Sequence, residues 1–488
     1  MHEQAPCVII SKAKFSGAAR TDSSIKSPNM IRSFTSKAIG LWVTACLLVT
    51  SGLAQSGAPL LQDIKVVKPA PTRVPSSTPL VKKTGASTAV PSASYVRTMF
   101  PMLAEVQIPG YSGIVVETLD SKTVIEANAG LVFNPASNVK VITAYAVLKT
   151  FGPDFRFATN VYTDGAIDRA TGTLNGNVYV SGKDPIFGFE HAVAIANELN
   201  RMGIRTVSGD LVVTDNFAMN YSGAALKAAQ TLGLTMNAMT RSPAATRTWL
   251  NHLTYAGKLA QSTYVPSVNF TGATYVQPIP SNLQFLFTHE SAPIREIMKA
   301  TLCYSNNFLS ERLGEMLGGP FAVARVNHLN AGIPANELTL ATSSGLGYNR
   351  VTPNAMMKVL RALRQELTKY KMNFTDIMPV AGIDNGTLAG RFDSDFAPAS
   401  VVGKTGTLPN TDNGVSALCG EVNTRNGRLL FVIFNQRGAV PRFRAFQNSF
   451  VSLVQGQFGG AASMEYVATS LDVRLARTRI TNSRGQSQ

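Results

Sequence analysis

The sequence predicts an α+β fold: an antiparallel sheet with helices on both faces, interrupted by a smaller inserted α+β domain. Three observations lead there. Near the N-terminal end, Ser112–Leu119 and Thr123–Asn128 flank the turn Asp120-Ser121-Lys122 as a hairpin, and an apolar, helix-length run from Val139 to Leu148 follows. Near the other end, the strands 414–420 and 429–434 flank Asn426-Gly427, a strong hairpin signal, and a helix from Phe443 to Phe458 is stopped by Gly459-Gly460. Between these halves, from about Phe155, the pattern breaks into short Val/Thr/Tyr-rich stretches.

In chain order, residues 1–54 read as a secretory leader. Arg32 and Lys37 precede the apolar run Ala38–Val49, and small Gly52 and Ala54 follow; Met1 and Met30 are both open as the start, and an uncleaved membrane anchor is the alternative to a cleaved signal. Residues 55–95 form a linker in which prolines alternate with Ser, Thr, Ala and Lys, a composition that stays extended and solvated. It reads first as a spacer, and its lysines and Arg73 would also allow weak association with an anionic membrane or wall surface. Residues 96–154 and 285–465 make the main domain. Residues 155–284 make the inserted one, with strands at 157–162 and 178–181, a helix at 192–202, a strand near 207–213 and β-like sequence onward to Phe285. Within the main domain, helices are expected from Pro293 and from Thr352-Pro353-Asn354 to Leu367. Residues 466–488 read as a polar, Arg-rich tail without regular structure.

Composition narrows the function classes. With 488 residues, 45% hydrophobic and 15% charged, the chain can build a substantial core. Its formal net charge of +16 suits an anionic partner. Nucleic acid is not expected, because no zinc-finger spacing, RNA-binding aromatic signature or dense Lys/Arg run is present. No histidine stands in a metal-ligand spacing, so neither metal nor cofactor is expected. Cys7, Cys46, Cys303 and Cys419 make no disulfide framework; Cys303 and Cys419 read as buried thiols. His289 beside Glu290 reads as a surface residue, and Asp384-Asn385-Gly386 as a turn.

The chemistry starts at Pro135-Ala136-Ser137-Asn138-Val139-Lys140. A serine and a lysine three apart share one helix face, so the amine reaches the hydroxyl. A lysine kept neutral by desolvation or by another cation can take the serine proton and activate it as a nucleophile. The pair alone is weak, since Ser11/Lys14 and Ser23/Lys26 repeat it. Two more motifs follow in order: Ser305-Asn306-Asn307 beside an amphipathic helix, and Lys404-Thr405-Gly406-Thr407 on a strand. These too have decoys, at Ser27/Asn29, Ser267/Asn269 and Lys83-Thr84-Gly85. The order and the fitting local structure carry the signal.

This trio resembles the active-site serine penicillin-recognising enzymes, with Ser-x-x-Lys, Ser-x-Asn and Lys-Thr-Gly motifs. Pro379–Leu388, Ser344-Gly345-Leu346 with Asn349–Pro353, and Gly209-Asp210-Leu211 are similar to segments of the class C low-molecular-mass penicillin-binding proteins, the D-alanyl-D-alanine carboxypeptidase/endopeptidases. The likeness runs from about Met99 to Phe458. It departs from the family pattern at Thr342-Ser343, usually Asp-Gly, and at Gly347-Tyr348, usually Ser-Arg.

The resemblance implies a transpeptidase-type fold around a five-stranded antiparallel sheet. It implies an exported, periplasmic serine D,D-peptidase that acts on peptidoglycan stem peptides and is acylated by β-lactams. Ser137 would be the nucleophile and Lys140 the acylation base, kept neutral with help from Lys404. Ser305 would relay a proton to the leaving amine, and Asn307 would hold Lys140 and the substrate amide. Lys404 would meet the substrate carboxylate as a fixed positive charge, together with Thr405, in a substrate-binding strand that includes Gly406 and Thr407. The N–H groups of Ser137 and Thr407 would form the oxyanion hole. Two alternatives stay open: a β-lactamase, for which no Glu-x-x-x-Asn signature of a deacylating water is seen, and a catalytically idle wall-binding protein of the same fold.

Overall fold

The computed structural model describes residues 96–392 and 397–482. The expected leader at 1–54 and linker at 55–95 lie outside the described residues. The main sheet has six antiparallel strands in the order Val96–Thr98, Thr123–Ala127, Tyr111–Thr118, Gly427–Gln436, Val415–Thr424, Val401–Leu408. The expected five are joined by the short edge strand Val96–Thr98, which pairs with Ile125–Ala127.

Alternation along the central strand explains the layers. Leu430, Val432 and Phe434 face one core, which holds the helices Val139–Phe151 and Pro353–Lys369, while Leu429, Phe431 and Ile433 face another, which holds Phe450, Val451 and Val454. Successive strand side chains point to opposite faces, so a strand buried on both sides must read as a continuous apolar run. Gly427–Gln436 does so from Leu429 to Phe434. Val139–Phe151 is buried at every position from Val139 to Leu148, as a helix apolar on all sides must be. Thr352 caps the Pro353 helix by accepting from Ala355 N at 3.0 Å.

The inserted region builds a second six-stranded sheet, in the order Thr274–Val276, Leu211–Val213, Val178–Gly182, Ala158–Thr163, Gln284–Glu290, Arg479–Asn482, with a small four-stranded sheet beside it. Three corrections follow from it. The stretch read as β-like contains the helices Ala225–Met236 and Pro243–Tyr255. The strand Gln284–Glu290, assigned by sequence mainly to the main domain from residue 285, pairs with Ala158–Thr163 and belongs to this sheet. His289, expected at the surface, lies in that strand and is fully buried.

The polar tail is folded as far as Asn482. It forms the helix Leu471–Leu475 and a strand whose residues 479–482 pair with Phe287–Glu290. Its charges do not keep it in solvent, because buried Glu296 pairs with Arg474 and, at 3.0 Å, with Arg477, while Arg474 also donates to Asp376 O at 2.8 Å.

Candidate active site

Each motif sits where two elements meet. Ser137 lies in a 3-10 turn, Ala136–Asn138, at the head of the helix Val139–Phe151. Ala136 there takes φ +47°. The edge strand Val401–Leu408 runs against this turn. At Gly406 an added Cβ would fall 2.7 Å from Pro135 O, so only glycine lets strand and turn approach this closely. At Gly345, φ +92°, a Cβ would fall 2.0 Å from Ala136 O. The loop from Thr342 to Tyr348 therefore clamps the nucleophile turn from the other side.

The structure brings together Ser137, Lys140 and Asn307. Lys140 Nζ is 3.2 Å from Ser137 Oγ, 2.7 Å from Asn307 Oδ1 and 2.6 Å from Ser344 O, and the side chain is 1% exposed. Burial lowers the Lys140 pKa to about 7, and the Glu311 carboxylate pulls the other way. Desolvation, one of the two expected causes, is thus the leading one. A neutral amine has two N–H donors and one lone pair. With Asn307 Oδ1 and Ser344 O accepting the two hydrogens, the lone pair is left for the Ser137 hydroxyl. That is the arrangement a general base needs.

Lys404 and Ser305 form the second cluster. Lys404 Nζ donates to Ser305 Oγ at 2.9 Å and to Thr405 O at 2.6 Å, and is fully buried. Burial, and then the charge of Lys140, hold Lys404 well below the usual lysine range. Its burial thus disfavours the charged form. A substrate carboxylate beside it would supply the counter-charge that favours its proton.

The second motif divides its labour. Asn306, not Ser305 or Asn307, caps the helix Asn307–Glu315 by accepting from Leu309 N at 3.1 Å. Ser305 takes φ +54°. Its hydroxyl turns to Lys404 while Asn307 turns to Lys140. Thr405 is buried in the strand, and Thr407 Oγ1 accepts from Arg444 at 3.0 Å. Of the decoys, Ser267 and Asn269 are described. Ser267 Oγ accepts from Ala238 N, and Asn269 Oδ1 accepts from Asn237, both ordinary loop contacts.

Several supporting residues went unread in the sequence. Glu311 accepts from Ser343 N at 3.0 Å and Ser344 N at 2.9 Å, fixing the peptide whose Ser344 O faces Lys140. Thr143 and Ser310 both donate to Ser343 O at 2.7 Å. Asn134 Oδ1 accepts from Ala136 N at 3.0 Å, while its amide donates to Gly347 O at 2.9 Å and Asp412 at 2.8 Å. The departures at Thr342-Ser343 are accommodated, since Thr342 Oγ1 accepts from Gly345 N at 3.1 Å and donates to Leu346 O at 2.9 Å. The signal for Glu311 was its place one helical turn beyond Asn307, on the same face.

Asp384, read as a turn, is also half of a buried ion pair. Its carboxylate meets Lys299 at 2.6 Å and accepts from Val380 N and Tyr466. Lys299 further donates to Thr375 O and Met378 O. Arg391 does not reach Asp384 but bonds Asn448 and Gln447. Cys303 and Cys419 are free and buried, and burial pushes their thiols up to about 11 and about 12. Among the described residues no cluster of three or more His, Cys, Asp or Glu is arranged to hold a metal ion.

Known proteins resemble the chain over the same span. The sequence pattern of the D-Ala-D-Ala carboxypeptidase 3 (S13) family matches residues 102–227 and 227–449. A D-alanyl-D-alanine carboxypeptidase of Actinomadura sp. (strain R39) is 25% identical over 433 residues, covering 69% of this chain and 79% of that protein. The penicillin G-acylated predatory endopeptidase Bd3459 of Bdellovibrio bacteriovorus, solved with the immunity protein Bd3460, shares the fold at a TM-score of 0.63 and 23% identity, covering 76% of this chain and 99% of that one. Penicillin-binding protein 4 of Haemophilus influenzae does so at 0.54 and 22%, covering 72% and 96%. The chain belongs to the D-Ala-D-Ala carboxypeptidase 3 (S13) family and is a serine-type hydrolase of the penicillin-binding fold.

Proposed function

We propose that this enzyme is exported and cleaves the D-alanyl-D-alanine bond of peptidoglycan stem peptides through an acyl-enzyme on Ser137, and that β-lactams acylate the same hydroxyl. The observation that carries the reading is the Lys140 amine, buried and held between Ser137 Oγ, Asn307 Oδ1 and Ser344 O. Ser137 Oγ attacks the carbonyl of the penultimate D-alanine while Lys140 takes the hydroxyl proton. The carbonyl electrons move to the oxygen, facing the N–H groups of Ser137 and Thr407 on the two elements that Gly406 lets approach. Collapse expels the terminal D-alanine amine, which receives the proton that Lys140 took, relayed through Ser305, so that Lys140 is neutral again. Water then attacks the ester as Lys140 takes its proton, and that proton passes to Ser137 Oγ as the acid leaves.

The substrate carboxylate is met by Lys404 and Thr405. Its negative charge favours a proton on Lys404, and the charged Lys404 in turn favours the neutral form of Lys140. Val401–Leu408 is the outer strand of its sheet; Pro379–Ala381 bonds its edge at Val401 and Gly403, so the edge from Lys404 onward is the part that can pair with the extended peptide. Trimming of a terminal D-alanine and cleavage of a D-alanyl crosslink both use this acyl-enzyme. Fast β-lactam turnover would need a base for the deacylating water, and both Glu311 oxygens already accept backbone N–H groups.

The test is labelling with a fluorescent penicillin, read on a denaturing gel, for the wild type and Ser137→Ala. A covalent band that disappears in the variant, with release of D-alanine from a stem peptide, supports the reading. A folded protein that takes no label between about pH 6 and 10, where a lysine base loses its proton, refutes it and leaves the wall-binding alternative.

A further inference from the structure

The outer strand Val401–Leu408 has the Ser137 turn on one face and a second functional neighbour on the other. Gly406 faces the turn, so Thr405 and Thr407, one residue to either side, face the opposite surface of the sheet. The helix Val440–Gln457 covers that surface. Its Gln447 donates to Ser416 Oγ at 3.1 Å, and Ser416 stands opposite Thr407 in the strand pair. Arg444 lies one turn before Gln447 on the same helix face, and its guanidinium donates to Thr407 Oγ1 at 3.0 Å. Gly403 N donates outward to Pro379 O. Thr405 and Thr407 share its phase along the strand, so their N–H groups also point to the free edge. A peptide paired at that edge has Ser137 to one side and Arg444 to the other.

Arg444 is exposed and Thr407 half-buried, so their contact is open to solvent. Among the described residues Arg444 forms no ion pair. Like charges stand near it instead. Arg442 is in the first turn of the same helix, which holds no acidic residue, and the positive end of the helix dipole adds to the field. Burial, and then the charge of Arg444, push Arg391 down to about 10. The Thr407 hydroxyl accepts from Arg444 and keeps its own hydrogen to donate. Arg444 and Thr407 therefore offer an anion a guanidinium and a hydroxyl side by side. Lys404 is fully buried, with hydrogens committed to Ser305 Oγ and Thr405 O, whereas a guanidinium is a permanent charge whose planar fork matches a carboxylate.

We propose that Arg444 is a further substrate-binding residue: its guanidinium, with the Thr407 hydroxyl that it orients, takes the carboxylate one carbon from the scissile nitrogen of the substrate. Arg444 thereby sets a preference for a free carboxylate over an amide or ester at that position. Lys404 holds Ser305 and the strand from beneath, and Arg444 supplies the charge from outside. The inference rests on the proposed function, which supplies the substrate.

Benzylpenicillin carries a carboxylate at the matching place, one carbon from its lactam nitrogen, and its methyl ester lacks the charge. The test is the second-order rate at which each acylates the full-length protein, read as mass gained by the intact chain, for the wild type, Arg444→Ala, Arg444→Gln and Arg444→Lys. Arg444→Ala and Arg444→Gln should slow the acid by about tenfold or more and leave the ester within about twofold of wild type, while Arg444→Lys keeps more of the acid rate than Arg444→Gln does. A residue that only supported the fold, or only held Thr407, would slow acid and ester alike. An unchanged acid rate in Arg444→Ala, an equal loss for acid and ester, or a wild-type rate in Arg444→Gln overturns the assignment. If the folded wild type takes no penicillin, the active-site reading fails and this inference falls with it. If the wild type is acylated and the acid rate ignores Arg444, only this inference falls.

Discussion

Acylation should follow the protonation of Lys140. Burial sets its pKa at about 7, and only the neutral amine can take the Ser137 proton. At that value roughly 1% of the amine is neutral at pH 5, roughly 9% at pH 6 and roughly 90% at pH 8. The second-order rate of labelling by a fluorescent penicillin should rise about 90-fold from pH 5 to pH 8 and then level off. The penicillin carboxylate stays ionised throughout, so the probe contributes no slope. A lysine with the ordinary pKa of 10.5 would instead give a tenfold rise per unit with no plateau below pH 9. Glu311 raises the Lys140 pKa, so Glu311→Gln should move the midpoint to lower pH. A profile flat from pH 5 to 8, a rise that continues unbroken past pH 9, or a midpoint that climbs in Glu311→Gln would each refute the assignment of Lys140 as base.

Lys140→Met, which keeps the buried stem but removes the base, should slow acylation by roughly 10²–10⁴-fold in the same gel assay. Gly345→Ala, whose Cβ would meet Ala136 O at 2.0 Å, should displace the nucleophile turn and cut labelling by about 10²-fold or more, and near-wild-type labelling would show that the loop does not clamp it. Asp384→Ala leaves Lys299 buried without its carboxylate and should cost about 3–5 kcal/mol in denaturant unfolding, with no loss if the pair is dispensable. In a Cys7→Ser/Cys46→Ser protein, Cys303 and Cys419 should resist a thiol reagent at pH 8 until denaturant is added, because both are buried and their thiols are pushed up to about 11 and about 12.

The strongest periodic elements were legible because they are buried in a simple way. The helix after Ser137 and the strands at 415–424 and 427–436 present unbroken apolar runs, and Asn426-Gly427 marks the turn between the strands. The helices at 225–236 and 243–255 were missed because their faces mix Thr, Gln, Asn and Met with few large apolar residues, and just three of the thirteen in the second are buried. The tail misled through its arginines, whose charges are matched by Glu296, far away in sequence.

The sequence by itself determined the reacting groups. Ser137 and Lys140 are adjacent on one helix turn, and backbone geometry alone brings an amine at that spacing to the hydroxyl. Only the tertiary structure decided the state of those groups. Lys140 loses its usual affinity for a proton through burial beneath Ser344 and Asn307, and Asn306 rather than its neighbours took the helix cap, leaving Ser305 free for Lys404. Spacing is a property of the local chain, whereas desolvation and charge balance depend on residues that arrive from more than a hundred positions away.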